Sequence, residues 1–68
     1  MTDKYKLRAK MALAGVSQNE LADKIGMSKN TFSGKINGRG CFTTDQVNKI
    51  CNVLQITDAG EKVEIFLA

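Results

Sequence analysis

Residues 17–38 read SQNELADKIGMSKNTFSGKING, and no other stretch constrains the chain as tightly. It holds two helical patterns with only Gly26 and Met27 between them. Each pattern opens on its own start signal. Ser17-x-x-Glu20 is a capping box, in which the serine side chain meets the Glu20 amide and the glutamate reaches back to the Ser17 amide. Ser28 is a good N-cap for the second pattern. Leu21 and Ile25, with Ala22 beside them, form the apolar stripe of the first; Phe32 and Ile36, at i and i+4, form that of the second. Gly26 ends the first helix. A connection this short fixes the angle between two helices, and it points to a second helix that is presented to a partner.

The rest of the chain reads as three further helices. Residues 3–14 place Leu7, Met11 and Ala14 at i, i+4 and i+7, and Gly15 supplies the stop. Asn37-Gly38 closes the helix that begins at Ser28. "NGRG" then forms a loop, and Phe42 is expected to tuck back into the core. A second capping box, Thr43-x-x-Gln46, opens a helix whose Val47, Ile50, Cys51 and Leu54 follow the i, i+3, i+4, i+7 pattern. A last, shorter helix over residues 58–67 has Val63, Phe66 and Leu67 as its apolar face and is weakened near its start by Gly60. There is no repeat, no low-complexity segment, no linker and no sustained period-2 run. The fold class is therefore all-α, a compact five-helix domain with a helix-turn-helix at about 17–37, and a chain of 68 residues holds one domain, 1–68.

Composition removes several classes of function. No apolar run exceeds four residues, the length of MALA at 11–14, which is too short for a signal-peptide core or a membrane span, so the expected location is the cytoplasm. There is no histidine, so no Ser-His or Cys-His pair exists, and no carboxylates are spaced as an acid–base pair; the chain is not expected to be an enzyme. Cys41 and Cys51 form no CxxC and have no histidine to join them, which excludes a Cys/His zinc site. No metal, cofactor or small-molecule ligand is expected. Both cysteines are read as free thiols, with Cys51 as core filling.

Charge is unevenly spread. Residues 1–40 carry eight Lys or Arg against three Asp or Glu, whereas residues 41–68 carry two against four. An excess in the half that holds the opening stretch points to a polyanionic partner. A solvated face with a chance excess explains it equally well from charge alone.

The chemistry of the second helix is more informative. With Phe32 and Ile36 turned to the core, Lys29, Asn30 and Ser33 turn outward together. Asparagine is suited to reading adenine, and lysine to guanine or a phosphate. A helix amino end presents free amides and favours phosphate. Gln18, just after the preceding cap, is placed to meet one. Gly34 costs about 1 kcal/mol in a helix interior relative to alanine, and is either incidental or room for close backbone approach. A solvated polar face remains the plain alternative.

The stretch QNELADKIGMSKNTFSGKIN resembles the helix-turn-helix of the phage repressor and Cro family, also called the XRE family. Gln18, Ala22 and Gly26 match its Gln, Ala and turn Gly. Leu21, Ile25, Met27 and Phe32 match its apolar positions, and AGVSQ resembles its lead-in. ADKIGM brings the likeness closest to the lambda-repressor type. The likeness is strong over about 20 residues, and the helix order fits a lambda-repressor-like five-helix domain across the chain.

The resemblance implies a small cytoplasmic transcriptional regulator, Cro-like and phage-related, that represses by binding double-stranded DNA. The helix over 28–37 would be the recognition helix in the major groove, and that over 17–25 would cross the backbone. Gln18 would touch the backbone. Lys29 and Asn30 would reach base edges, with Ser28, Ser33, Gly34 and Lys35 beside them. Asn37 and the loop with Arg39 would hold phosphate. A homodimer through Val63, Ile65, Phe66 and Leu67, weak alone and completed on DNA, would pair two half-sites. The competing function is a protein-interaction module of the same fold, such as an anti-repressor or small inhibitor. It would show exposed apolar anchors on the face of Lys29, Asn30 and Ser33, where the sequence has none. Any exposed apolar face is expected on the last helix.

Three positions depart from the family pattern. Lys35 stands where an apolar residue is common, and Ile36 takes over its packing. Many relatives carry a paired Arg and Glu near Met11 and Ile36, and here both positions are apolar. Few residues precede the first helix, so contacts from a basic arm of the lambda type are not expected. The C-terminal dimerisation domain of lambda-type repressors does not follow, and a complete Cro-like regulator is favoured over a fragment.

Overall fold

A side chain takes up orphan amides at the start of each helix. The computed structural model describes residues 2–67, and in it Asp3, Ser17, Ser28, Thr43 and Asp58 cap α1 (Lys4–Ala14), α2 (Gln18–Lys24), α3 (Lys29–Ile36), α4 (Thr44–Leu54) and α5 (Ala59–Phe66). Both capping boxes form with each partner in place. Such a cap contributes about 1 kcal/mol. Helices of 7 to 11 residues are too short to persist alone, so packing must hold them.

The abrupt turn between α2 and α3 is made by one residue. Gly26 takes φ +73°, a left-handed conformation that side chains resist, although nothing lies within 4 Å of where its Cβ would be. Its N–H donates to the Asp23 carbonyl at 3.1 Å, and Met27 N–H donates to the Ala22 carbonyl at 2.9 Å. The last carbonyls of α2 are satisfied as the chain turns, and Ser28 can open α3 at once.

α4 ends the same way on a residue less suited to it. Gln55 is left-handed at φ 58°, the one described non-glycine residue with positive φ. A left-handed residue with a Cβ costs about 1–2 kcal/mol. Gln55→Gly should therefore raise stability by about 0.5–1 kcal/mol after the greater unfolded-state freedom of glycine is subtracted. Urea unfolding of the two proteins checks this.

The core collects Leu7 and Met11 of α1, Leu21, Ala22 and Ile25 from α2 and its end, Phe32 and Ile36 of α3, and Ile50, Cys51 and Leu54 of α4. α2 and α3 have the most extensive contact of any helix pair. Phe42 tucks inward as expected, its ring centroid 5.5 Å from Phe32 and 6.0 Å from Phe66. The two thiols are free: Cys41 is exposed, Cys51 is buried, and burial pushes the Cys51 thiol up against a smaller opposing pull from Lys62.

α5 differs from its sequence reading. Its inward pair is Ile65 and Phe66, at 2% and 7% exposure, whereas Val63 and Leu67 stand out at 52% and 74%. Phe66 is drawn in by Phe42, and Ile65 lies under α1, where its carbonyl accepts Asp3 N–H at 2.6 Å. Lys6 pairs with Glu64 at 3.5 Å and Lys10 pairs with Glu61, so α1 and α5 are also joined by charge. Gly60 lies near the start of α5, as expected, in its first turn, and its N–H donates to Asp58 Oδ1 at 3.3 Å. Ala14 is exposed, not part of the α1 stripe, and Tyr5 and Leu13 on α1 are exposed as well. Exposed apolar side chains are thus not confined to the last helix. Among the described residues no helix is long and apolar enough to cross a membrane.

Candidate nucleic-acid interface

α3 buries Phe32 and Ile36, which fixes what the rest of the helix presents. At about 100° per residue, Asn30, Thr31, Gly34 and Asn37 lie on the opposite arc, with Ser33 and Lys35 on its flanks. Burial follows that geometry: Lys29, Asn30, Thr31 and Asn37 are exposed, while Ser33, Gly34 and Lys35 are half-buried. Lys29 is exposed because it begins the helix. Thr31 is a residue the sequence reading passed over. The helical angle alone, counted from Phe32, would have placed it beside Asn30.

Several of these polar groups already have partners. Ser28 Oγ accepts the Thr31 N–H at 3.2 Å and donates to Thr31 Oγ1 at 2.8 Å, so the cap and Thr31 form one unit. Asn37 Nδ2 donates to the Ser33 carbonyl at 2.8 Å and approaches Ser33 Oγ at 3.5 Å. Asn37 thus closes the carboxyl end of α3, with part of its donor capacity engaged. The Lys35 ammonium donates to Gln46 Oε1 at 2.9 Å, which turns it toward α4 rather than outward. Arg39 is exposed, and its N–H donates to the Gly34 carbonyl at 2.7 Å. Gln18 is half-buried as the first residue of α2, the helix packed on α3.

The charge available to a partner is narrower than the count by halves implied. Lys6 and Lys10 are matched by acids of α5, and Lys35 is held by Gln46. Lys4 lies over the Tyr5 ring, 5.4 Å from its centroid. Arg8, Lys24, Lys29 and Arg39 are exposed. Two of them lie at opposite ends of the α3 region, Lys29 in its first turn and Arg39 in the loop beyond its last. Among the described residues, no large apolar side chain is exposed on α3 and no group of acids and thiols could hold a metal.

A compact all-helical fold with a capped two-helix turn and a polar outer face on the second helix agrees with the family comparison. The model of the Cro/C1-type HTH DNA-binding domain matches residues 6–61, from the first turn of α1 into α5. Neither the curated proteins nor the solved structures returned a match. The matched span covers more than half of the chain and contains the whole helix-turn-helix, so the chain belongs to the Cro/C1-type helix-turn-helix DNA-binding domain family.

Proposed function

We propose that this protein is a small cytoplasmic repressor that binds a specific double-stranded DNA site as a dimer, with α3 in the major groove. The observation that carries this reading is the outer face of α3, where Lys29, Asn30 and Thr31 are exposed at the amino end and Arg39 follows the carboxyl end. Asn30 and Lys29 read base edges. Gln18, Asn37 and Arg39 meet phosphates. Ser28 and Thr31 hold the start of the helix in register, Ser33 lies beside the base-reading pair, Gly34 lets the backbone come close, and Lys35 lies at the edge. The repressor role and a phage or mobile-element setting rest on the resemblance. A protein-interaction module is disfavoured because the large exposed apolar side chains, Tyr5, Leu13, Val63 and Leu67, all lie off α3. A gel shift with the upstream region of the protein's own gene, beside random DNA of equal length, tests the reading. Equal binding to both would remove it.

Gly34 gives this reading a second test. A Cβ there would meet only Arg39 Cβ, at 3.9 Å, an ordinary contact. Gly34→Ala should then stabilise the fold by about 0.5–1 kcal/mol. The same methyl group should weaken DNA binding, because it stands on the face laid against the groove. A thermal melt and a DNA titration on one preparation read both effects. Unchanged affinity would mean that Gly34 faces solvent in the complex.

The fold limits which apolar side chains a dimer could use. Ile65 and Phe66 serve their own core, which leaves Val63 and Leu67, at i and i+4. They stand at the rim of a groove between α4 and α5 floored by Phe42, Val47 and Phe66, where two-fold packing can seat one copy's pair in the other. A standard stable interface buries about 800 Å² on each partner, more than two side chains supply, so the dimer is weak and completes on DNA. Half-sites then lie about 34–36 Å apart or a multiple of it. Val63→Asp should abolish cooperative operator binding while leaving single half-site affinity within about twofold. Sedimentation showing strict monomers both free and on operator would remove the dimer.

A further inference from the structure

Lys35 is held at both ends of the loop that follows α3. Its ammonium donates at 2.9 Å to Gln46 Oε1, and the same oxygen accepts Thr43 N–H at 3.0 Å. Thr43 Oγ1 in turn accepts Gln46 N–H at 3.2 Å, so the lysine head is tied into the box that starts α4. At the near end, the Lys35 carbonyl accepts Gly38 N–H at 3.2 Å. The loop also crosses the lysine stem. Gly40 has φ +141°, and a Cβ on it would lie 3.7 Å from Lys35 Cγ. The residue carried between these fixed points is Arg39, whose side chain is exposed.

We propose that Lys35 is a positioning residue, a strut that fixes the loop bearing Arg39, and that it makes no DNA contact of its own. The proposal rests on the DNA-binding reading and refines it, since Lys35 otherwise counts among the residues at the DNA surface. The physical reason is ordering. A loop with glycines at 38 and 40 is free to wander, and ordering it only on binding lowers affinity. Lys35 orders it beforehand. In doing so it also uses the one cation of α3's last turn, because a half-buried ammonium bonded to Gln46 is not free to reach a phosphate.

The test titrates specific and random DNA at several salt concentrations with three variants of the full chain: Lys35→Met, Arg39→Ala, and the two combined. Lys35→Met keeps the stem and removes the ammonium. It should weaken binding to both DNAs by about three- to tenfold, the size expected for ordering one long side chain. Adding Arg39→Ala should then cost little more, and the salt slope of the double variant should fall by about one unit, as in Arg39→Ala alone. A Lys35 that meets phosphate itself gives multiplying losses and a slope lower by about two units in the double variant; that outcome overturns the proposal. A merely structural Lys35 lowers the melting temperature without changing the effect of Arg39→Ala, and overturns it too. If Arg39→Ala has no effect while Asn30→Ala still alters base preference, the strut falls and the DNA-binding reading stands. If neither has any effect, both fall.

Discussion

Met11→Arg or Ile36→Glu, introduced alone, should lower stability by about 3–5 kcal/mol, and the two together should recover most of the loss. Ile36 is 1% exposed and Met11 5%, and both belong to the same core cluster. A charge placed there alone has no partner and loses its water, whether it stays ionised or is forced neutral. A chain of 68 residues has about 3–10 kcal/mol of stability in all, so either single variant should lose about a third of it or more. Many proteins that resemble this one carry an ion pair near these positions. Replacing such a pair by apolar groups is often neutral or stabilising by about 1–4 kcal/mol, so the parent should melt above the double variant and the double variant above both singles. Thermal unfolding followed by circular dichroism orders the four proteins. A single variant that melts with the parent would show that the two side chains do not share a buried site.

The parts of the fold that could be read in advance are those set by residues a few positions apart. Both capping boxes, the Gly26 turn and the inward pairs Leu21/Ile25 and Phe32/Ile36 depend on bonds and angles within one or two turns of chain. The misread parts depend on distant partners. Whether Val63 or Ile65 faces inward is decided by Phe42 and by the start of α1, not by α5 itself. Lys6 and Lys10 look available to an anion until α5 brings Glu64 and Glu61 beside them, more than 50 positions away. Lys35 looks like an outward cation until α4 brings Gln46 within 2.9 Å. Counting charge along the chain could not separate the cations that meet a partner from those already matched. Thr31 is different: its place on the outer arc of α3 follows from the helical angle alone.

Asn30→Ala should change which base is preferred at one position of the site, whereas Arg39→Ala should weaken binding to every sequence alike. Asn30 is exposed on the outer arc of α3, one residue into the helix after Lys29, and its amide can pair with two atoms of an adenine edge. Removing such a contact costs about 1–3 kcal/mol against the preferred base and nothing against the others. Arg39 stands beyond the end of α3, on a loop whose amides bond to the Gly34 and Lys35 carbonyls, where on the proposed reading a guanidinium would meet phosphates rather than bases. Its loss removes one released counterion, so the dependence of affinity on salt flattens by about one unit for specific and random DNA together. Lys29 can reach either a guanine or a phosphate, and the same titration assigns it: a change in base preference marks the first, a flatter salt slope with preference intact marks the second. Both variants leave exposed positions smaller and break no core contact, so their melting temperatures should stay near that of the parent. The measurement is a titration of operator variants at several salt concentrations. If Asn30→Ala keeps the full ratio of specific to random affinity, α3 does not read the groove with its amino end, and the placement of the recognition helix is wrong.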